Sequence, residues 1–429
     1  MACETIALMR ASFDAAVAAA DPLQMLSAHL PPPPRGNVVV VGAGKAAASM
    51  ALAVERAWPG VPMEGVVITR YAHGLPTQRI RVVEAGHPVP DEAGERAAQE
   101  ILHRAQQLAA DDLLLVLVSG GGSSLLSLPV AAVPMADLKA LTRQLLASGA
   151  PIEQMNVVRK HLSQTAGGRL AAAAAARGAQ VLALIVSDVT GDAPSDIASG
   201  PCSPDPSTYA DAQDILRRWN VQPPASIAEW LRRGAAGEIP ETPKANDPLF
   251  ARVDDRVIAT AHRSLEAAAD VFRRAGVTPV ILGDTVTGEA REVAKVYGAL
   301  AREIVTHRAP FAPPVALISG GECTVTLPAG SSGRGGRCTE FLLSLAVELE
   351  SVPNVHALAA DTDGIDGSET NAGAWLDPRT GADAAARGVT ARAALDAHDA
   401  WGYFAAADRL LVTGPTRTNV NDYRVIVIN

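Results

Sequence analysis

The chain is poor in cysteine, aromatic side chains and positive charge. Its 429 residues hold four cysteines (Cys3, Cys202, Cys323 and Cys338), scattered with no C-x-x-C pair, and 4% Phe, Trp and Tyr. That spacing supplies no zinc site and fits reduced thiols in a cytoplasmic protein. Lys and Arg number 37 against 46 Asp and Glu, for a net charge of -9. The basic residues form no stripe or tail, which argues against a nucleic-acid partner. Anionic substrates must then be met by a few placed cations. No membrane span is expected: the uncharged stretch 113–136 is broken by Ser-Gly-Gly-Gly-Ser-Ser and two prolines. Glu4, Arg10 and Asp14 interrupt what would be the apolar core of an export signal.

What is present is an Ala-, Val- and Leu-rich globular composition, 48% hydrophobic with 36 glycines, in a chain longer than one ordinary core. The most informative stretch is Leu113 to Pro129, LLLVLVSGGGSSLLSLP. It reads as a buried strand (113–118), then Ser119 and a turn of Gly120, Gly121 and Gly122, then Ser123 and Ser124 opening an apolar segment. Glycines at the carboxyl end of a central strand let backbone approach a ligand, so this is a candidate anion cradle or a plain strand-to-helix turn. A second cradle follows the strand 38–41, where Gly42-Ala43-Gly44-Lys45-Ala46-Ala47 places a lysine at a helix start.

The same six residues match the loose dinucleotide fingerprint G-x-G-x-x-G/A. The next strand, 65–69, ends in Arg70 rather than the acid that holds a ribose. An arginine there can serve a 2′-phosphate, so an NADP-linked reductase stays open. The Walker pattern G-x-x-x-x-G-K-[ST] is absent.

The βα rhythm predicts a doubly wound, mostly parallel sheet with ligands at the carboxyl ends of its strands. Asp91 is expected to cap the helix that follows His87-Pro88. Within 151–177, Asn156, Arg159, Lys160 and His161 form a polar cluster in apolar surroundings, as compatible with surface charge as with ligand contact. After the strand 181–186 come Asp188, Asp192 and Asp196, which can hold a metal, activate a hydroxyl or make Asx turns.

The Pro-rich text at ETPKANDP predicts a boundary, giving domains 1–244 and 245–429. In the second part, a strand at 315–318 followed by Ser319-Gly320-Gly321 echoes the first glycine turn. The loop 329–339, AGSSGRGGRCT, sets Arg334 and Arg337 among four glycines, suited to gripping phosphate. Asp361, Asp363 and Asp366 follow a short strand, but the glutamate that would complete a calcium loop is missing.

Eight motifs in order, GAGKAA (42–47), EAGHPVPDEAG (84–94), SGGGSSLL (119–126), SDVTGD (187–192), SGGECTVT (319–326), GRGGR (333–337), DTDGIDG (361–367) and TGPTRTNVND (413–422), resemble the glycerate 2-kinase family whose C-terminal half is a MOFRL domain. The resemblance covers nearly the whole chain. It implies an α/β fold, with a Rossmann-like doubly wound N-terminal domain, a smaller α/β C-terminal one and an active site in the cleft between them. It further implies ATP-dependent, Mg²⁺-assisted phosphorylation of D-glycerate at the 2-hydroxyl. Members are also often called hydroxypyruvate reductases. The chain departs from the pattern at Cys338-Thr339, where the family has Asn-Gln before Glu340.

On this resemblance Lys45 and Arg337 are expected to neutralise charge on the moving phosphoryl group, Arg334 to assist, and Asp188 to orient or deprotonate the hydroxyl. Substrate or nucleotide contacts are expected from Gly42, Gly44, Ser119, Gly120, Gly121, Gly122, Ser123, Asn156, Gly320, Gly321, Glu322, Asp363 and Asn419. Asp192 or Asp363 would hold Mg²⁺. A homodimer is compatible with the sequence.

Overall fold

The computed structural model describes residues 2–328, 330, 332–350 and 352–429, with the side chains of all but Ala2 and Cys3. Ala329 and Ser331 of the basic glycine loop, and the Cys3 thiol, therefore lie outside the described residues. The other three cysteines are free and buried. The chain divides into two compact units, Pro22–Ile258 and Met1–Asp21 with Ala259–Asn429.

The unit Pro22–Ile258 is built on six strands, β1 (Val38–Ala43), β2 (Met63–Arg70), β3 (Ile80–Ala85), β4 (Leu113–Val118), β5 (Gln180–Val186) and β6 (Val253–Ala259), in the order β3-β2-β1-β4-β5-β6. The pairs β2–β3, β1–β2, β1–β4 and β4–β5 are parallel. Every residue of β1 and β4 is buried, as expected of strands covered on both faces. The strand order reverses between β1 and β4, which sets the crevice of a doubly wound sheet at their carboxyl ends. Asp91 caps the helix Glu92–Gln106 by accepting from Gly94 N at 2.9 Å.

The expected boundary at 245 falls inside this unit. Residues 253–259, which lie beyond that boundary, are β6 of the first sheet. The Pro-rich stretch before it is anchored: Lys244 Nζ donates to Asp205 O at 3.0 Å and Thr242 Oγ1 at 2.8 Å, and Asp247 caps Leu249 N. Composition marks a turn-rich path, but it does not show which hydrogen bonds pin that path.

The second unit holds β7 (Thr278–Gly283), the short pair β8 (Gly288–Glu289) and β10 (Cys323–Thr324), and β9 (Val315–Ser319), β11 (Val355–Asp361), β12 (Gly373–Leu376), β13 (Leu410–Leu411) and β14 (Asp422–Ile428). Its main sheet runs β13-β12-β11-β14-β9-β7, antiparallel except for β7–β9. Alternation along β14 sends Val425 and Val427 to one core and Ile426 and Ile428 to the other.

The N-terminal helix Ala2–Ala19 belongs here rather than with the first domain. Met9, Phe13 and Ala16 pack with Leu265, Phe272 and Tyr423, and Ser12 Oγ lies 2.7 Å from the Tyr423 hydroxyl. Its apolar periodicity was readable, but not the sheet it would cover. Phe13→Ala should therefore destabilise the second unit by about 3–5 kcal/mol, read as a lowered urea midpoint. An unchanged midpoint would show that the helix is not part of that core.

Candidate active site

At the crevice of the first sheet the two glycine turns are tied to each other. Lys45 N donates to Gly120 O at 2.8 Å, Ser119 N to Ala43 O at 3.2 Å, and Ala46 N to Ser119 Oγ at 3.0 Å. Gly44 adopts φ 141, and a Cβ there would collide with Ser119 Oγ and O. The Lys45 side chain stands by the second turn: a Cβ on Gly121 would lie 3.6 Å from Lys45 Cγ and 2.8 Å from His87 Nε2.

Several of these residues are occupied by the fold itself. Gly42 is an interior residue of β1, where a Cβ would strike Leu117 O. Ser119 is fully buried and its hydroxyl is engaged by Ala46 N. Gly44 N donates to Ile68 O, Ala47 N to Gly44 O and Gly122 N to Ser119 O. The N–H groups of 44–47 and of Gly122 are thus consumed inside the protein and do not form the expected anion cradle. What the turn presents is the lysine side chain.

Asn156 and Ser123 are drawn together. Ser123 Oγ is 2.8 Å from Ser199 Oγ, and Ser199 Oγ donates to Asn156 Oδ1 at 3.3 Å. Asp188 opens the loop after β5 and is partly buried. Asp192, farther along the loop, has a left-handed φ of 53. Asp196 instead lies 3.2 Å from Lys160 Nζ.

In the second unit the helix Arg337–Glu348 starts in a knot of charge. Arg337 Nε donates to Asp422 Oδ1 at 2.7 Å, Nη1 to Glu322 Oε1 at 2.6 Å and Nη2 to Asp361 Oδ2 at 2.8 Å. Burial alone would lower its pKa, but Asp422, Asp361 and Glu322 together raise it above the usual guanidinium value. Asp422 also pairs with the buried Arg424, whose Nη1 donates to Gly320 O at 2.9 Å.

Glu322 is therefore a partner of Arg337. Gly320 N donates to Gly283 O, so this backbone too is committed internally. A Cβ on Gly321 would meet Val286 backbone. Arg334 stacks on Trp401, with its guanidinium carbon 4.2 Å from the ring centre, and lies 3.4 Å from Asp399. A cavity of about 520 Å³ is lined by Arg334, Gly335, Arg337, Glu340 and His398, large enough for a nucleotide-sized ligand.

Asp363 and Asn419 are buried in tight turns, accepting from Ile365 N at 2.9 Å and Asn421 N at 3.3 Å. One oxygen of Asp363 is thus engaged by backbone. Among the described residues no group of three or more His, Cys, Asp or Glu is arranged to hold a metal.

The departure at 338–339 faces inward. Cys338 and Thr339 are fully buried, and Thr339 Oγ1 donates to Asp366 Oδ2 at 2.7 Å. Asp366 also accepts from Cys338 N at 3.0 Å and Thr339 N at 2.8 Å, while burial pushes its pKa up to about 6. Sequence reasoning missed Asp366, Asp422 and Arg424 as organisers of this site. The available signal was an arginine inside the apolar strand DYRVIVI.

The fold and its two glycine turns define a two-unit α/β protein with cations set at strand and helix ends. Residues 8–232 match the family model described as a domain of unknown function (DUF4147), and 315–422 match the MOFRL family. The chain is 49% identical over 98% of its length, and 94% of the relative's, to an Agrobacterium vitis protein provisionally named a hydroxypyruvate reductase. It is 38% identical to the glycerate 2-kinase of Pyrococcus horikoshii over 92% of this chain and 88% of that one. The crystal structure of a glycerate kinase from Thermotoga maritima superposes with a TM-score of 0.86 at 34% identity, covering 99% of this chain and 98% of that one. The chain belongs to the glycerate 2-kinase family with a C-terminal MOFRL domain.

Two predictions follow from the second unit's charges. Asp422→Asn leaves Arg337 and Arg424 each short of a buried partner and should cost about 3–5 kcal/mol, seen as a lowered Tm; an unchanged Tm would contradict the pairing. Because Asp366 titrates near 6 when folded, above its ordinary 3.8, the folded protein keeps a proton that the unfolded chain has released. Its contribution to stability falls as pH rises between those values and is level above them. Wild-type Tm should accordingly fall relative to Asp366→Asn from pH 4 to 6, and a parallel pH course would contradict it.

Proposed function

We propose that the chain transfers the γ-phosphoryl group of ATP to the 2-hydroxyl of D-glycerate, giving 2-phospho-D-glycerate and ADP. The observation that carries this reading is the Gly44–Ala47 turn. Its four N–H groups are engaged within the protein, so it lacks the pyrophosphate cradle of a dinucleotide enzyme and offers the Lys45 side chain instead. Kinase-named relatives over most of the chain support the same reading.

Phosphoryl transfer asks the protein to align reactants and neutralise charge on the moving group. Lys45 is assigned to that charge. Arg337 is assigned to it as well, its guanidinium held rigid by three carboxylates so that little ordering is lost on binding. Arg334, stacked on Trp401, is assigned to an outer phosphate. Asp188 is assigned to accept the proton of the 2-hydroxyl as it attacks.

Mg²⁺ would need one or two carboxylates rather than a protein cage, and Asp192 is the carboxylate that would hold it. When bound, the ion would supply neutralisation of phosphate charge.

The reductase name of the Agrobacterium relative motivates the rival reading, reduction of hydroxypyruvate by NADPH. A paired assay separates them. D-glycerate, Mg²⁺ and ATP coupled to enolase, which accepts the 2-phosphate and not the 3-isomer, should give product, while hydroxypyruvate with NADH or NADPH should not react. Nicotinamide oxidation without ATP consumption would defeat the kinase reading. Lys45→Ala should lower kcat by about 10²–10³ with Tm unchanged; a normal rate would remove Lys45 from the reaction.

A further inference from the structure

The polar cluster on the helix Ile152–His161 contains one cation that the fold leaves uncompensated. Lys160 Nζ lies 3.2 Å from Asp196 Oδ1 and 3.6 Å from Asp205 Oδ1, and His161 Nε2 is 3.3 Å from Glu241 Oε2. Arg159 differs from both. Its guanidinium makes a single long hydrogen bond, Nη1 to Asn156 Oδ1 at 3.4 Å, and among the described residues no carboxylate pairs with it. Burial is the one influence on its pKa and acts downward. The Arg159 side chain is half-buried, and a guanidinium stays charged, so the part of its hydration lost to packing is unrepaid until an anion arrives.

Arg159 lines a cavity of about 40 Å³ together with Ser123, Ser199, Thr142, Thr165 and Pro88. That volume is about three water-sized probes, enough for a carboxylate and too small for a nucleotide. Ser199 is held there at φ 60, between Ala198 at φ 51 and Gly200 at φ 58. Two consecutive non-glycine residues in the left-handed region are a strained way to place one hydroxyl. Ser123 directly follows Gly122, and Pro88 follows His87, whose ring stands against Gly121 beside Lys45. The cavity therefore adjoins the Lys45 turn.

We propose that Arg159 binds the carboxylate of the acceptor acid, with the Ser123 and Ser199 hydroxyls around it, leaving the acid's own hydroxyls toward Lys45. A planar fork facing a carboxylate gives two parallel hydrogen bonds, which a lysine cannot reproduce. The assignment rests on the glycerate reading above and gives it a specificity determinant: an acceptor lacking the carboxylate leaves the half-buried Arg159 without an anionic partner.

The test compares wild type, Arg159→Met and Arg159→Lys, with D-glycerate and with glycerol, which replaces the carboxylate by a hydroxymethyl group. Arg159→Met should raise KM for D-glycerate by about 100-fold and Arg159→Lys by about 10-fold. KM for ATP and the slow rate with glycerol should stay at wild-type values. The unliganded Arg159→Met protein should melt no lower than wild type, since an uncompensated charge has been removed, but its Tm should no longer rise with D-glycerate.

An unchanged KM for D-glycerate in Arg159→Lys and Arg159→Met overturns the proposal, as does a rise confined to KM for ATP, which would make this a phosphate site. Should Arg159→Met fail to fold, Arg159→Lys decides alone. If wild type itself shows neither turnover nor a Tm shift with D-glycerate, the kinase reading fails, a result distinct from a wild type that binds glycerate equally well without Arg159.

Discussion

The hydrogen bonds that tie the turn after β1 to the turn after β4 are the constraint on which the first unit's site depends. Lys45 N donates to Gly120 O, Ser119 N to Ala43 O and Ala46 N to Ser119 Oγ, and the absence of a Cβ at Gly44 is what lets the two turns approach. Buried N–H groups must find partners somewhere. Here they find them across the switch point of the sheet. The consequence is chemical as well as structural, because a turn whose donors are spent internally must use a side chain to meet an anion. Lys45 is the side chain it carries.

The second unit solves a comparable problem with charge. Arg337 begins a helix and is fixed by Asp361, Asp422 and Glu322, which come from a strand end, the last strand and a glycine turn. Asp422 is shared with Arg424, itself buried under Phe341 with its guanidinium carbon 5.4 Å from the ring centre. Such networks are costly to desolvate, and their return is fixed geometry rather than stability. A guanidinium held this way is ordered by the fold itself.

Much of the first fold was legible because strand and helix periods are local. The apolar run 113–118, the glycine turns and the Asp91 cap all stand where the pattern put them. The helix Ala2–Ala19 was legible as a helix but not as part of the second unit, since its partners Leu265 and Tyr423 lie hundreds of residues away. Likewise β6 lies beyond the Pro-rich stretch that predicts a boundary, yet it pairs into the first sheet. At the sites, residue types were legible and hydrogen-bond economy was not. Gly122, Gly320 and Ser119 look like ligand donors in sequence, whereas their N–H or hydroxyl groups serve the fold. Arg159 looked like half of a basic pair, and only the neighbours' carboxylates reveal which of the two lacks one.

Membership in the glycerate 2-kinase family points to phosphoryl transfer to a small hydroxy acid, and the spent donors at Gly44–Ala47 agree with it. The regiochemistry is the most exposed part of that account, and phosphorus NMR of the product of D-glycerate, Mg²⁺ and ATP reads it directly. An ester at C2 couples to one carbon-bound proton and gives a doublet, while an ester at C3 couples to two and gives a triplet. The account predicts a doublet appearing as ATP is converted to ADP. A triplet, or no new ester signal with ATP intact, would contradict it.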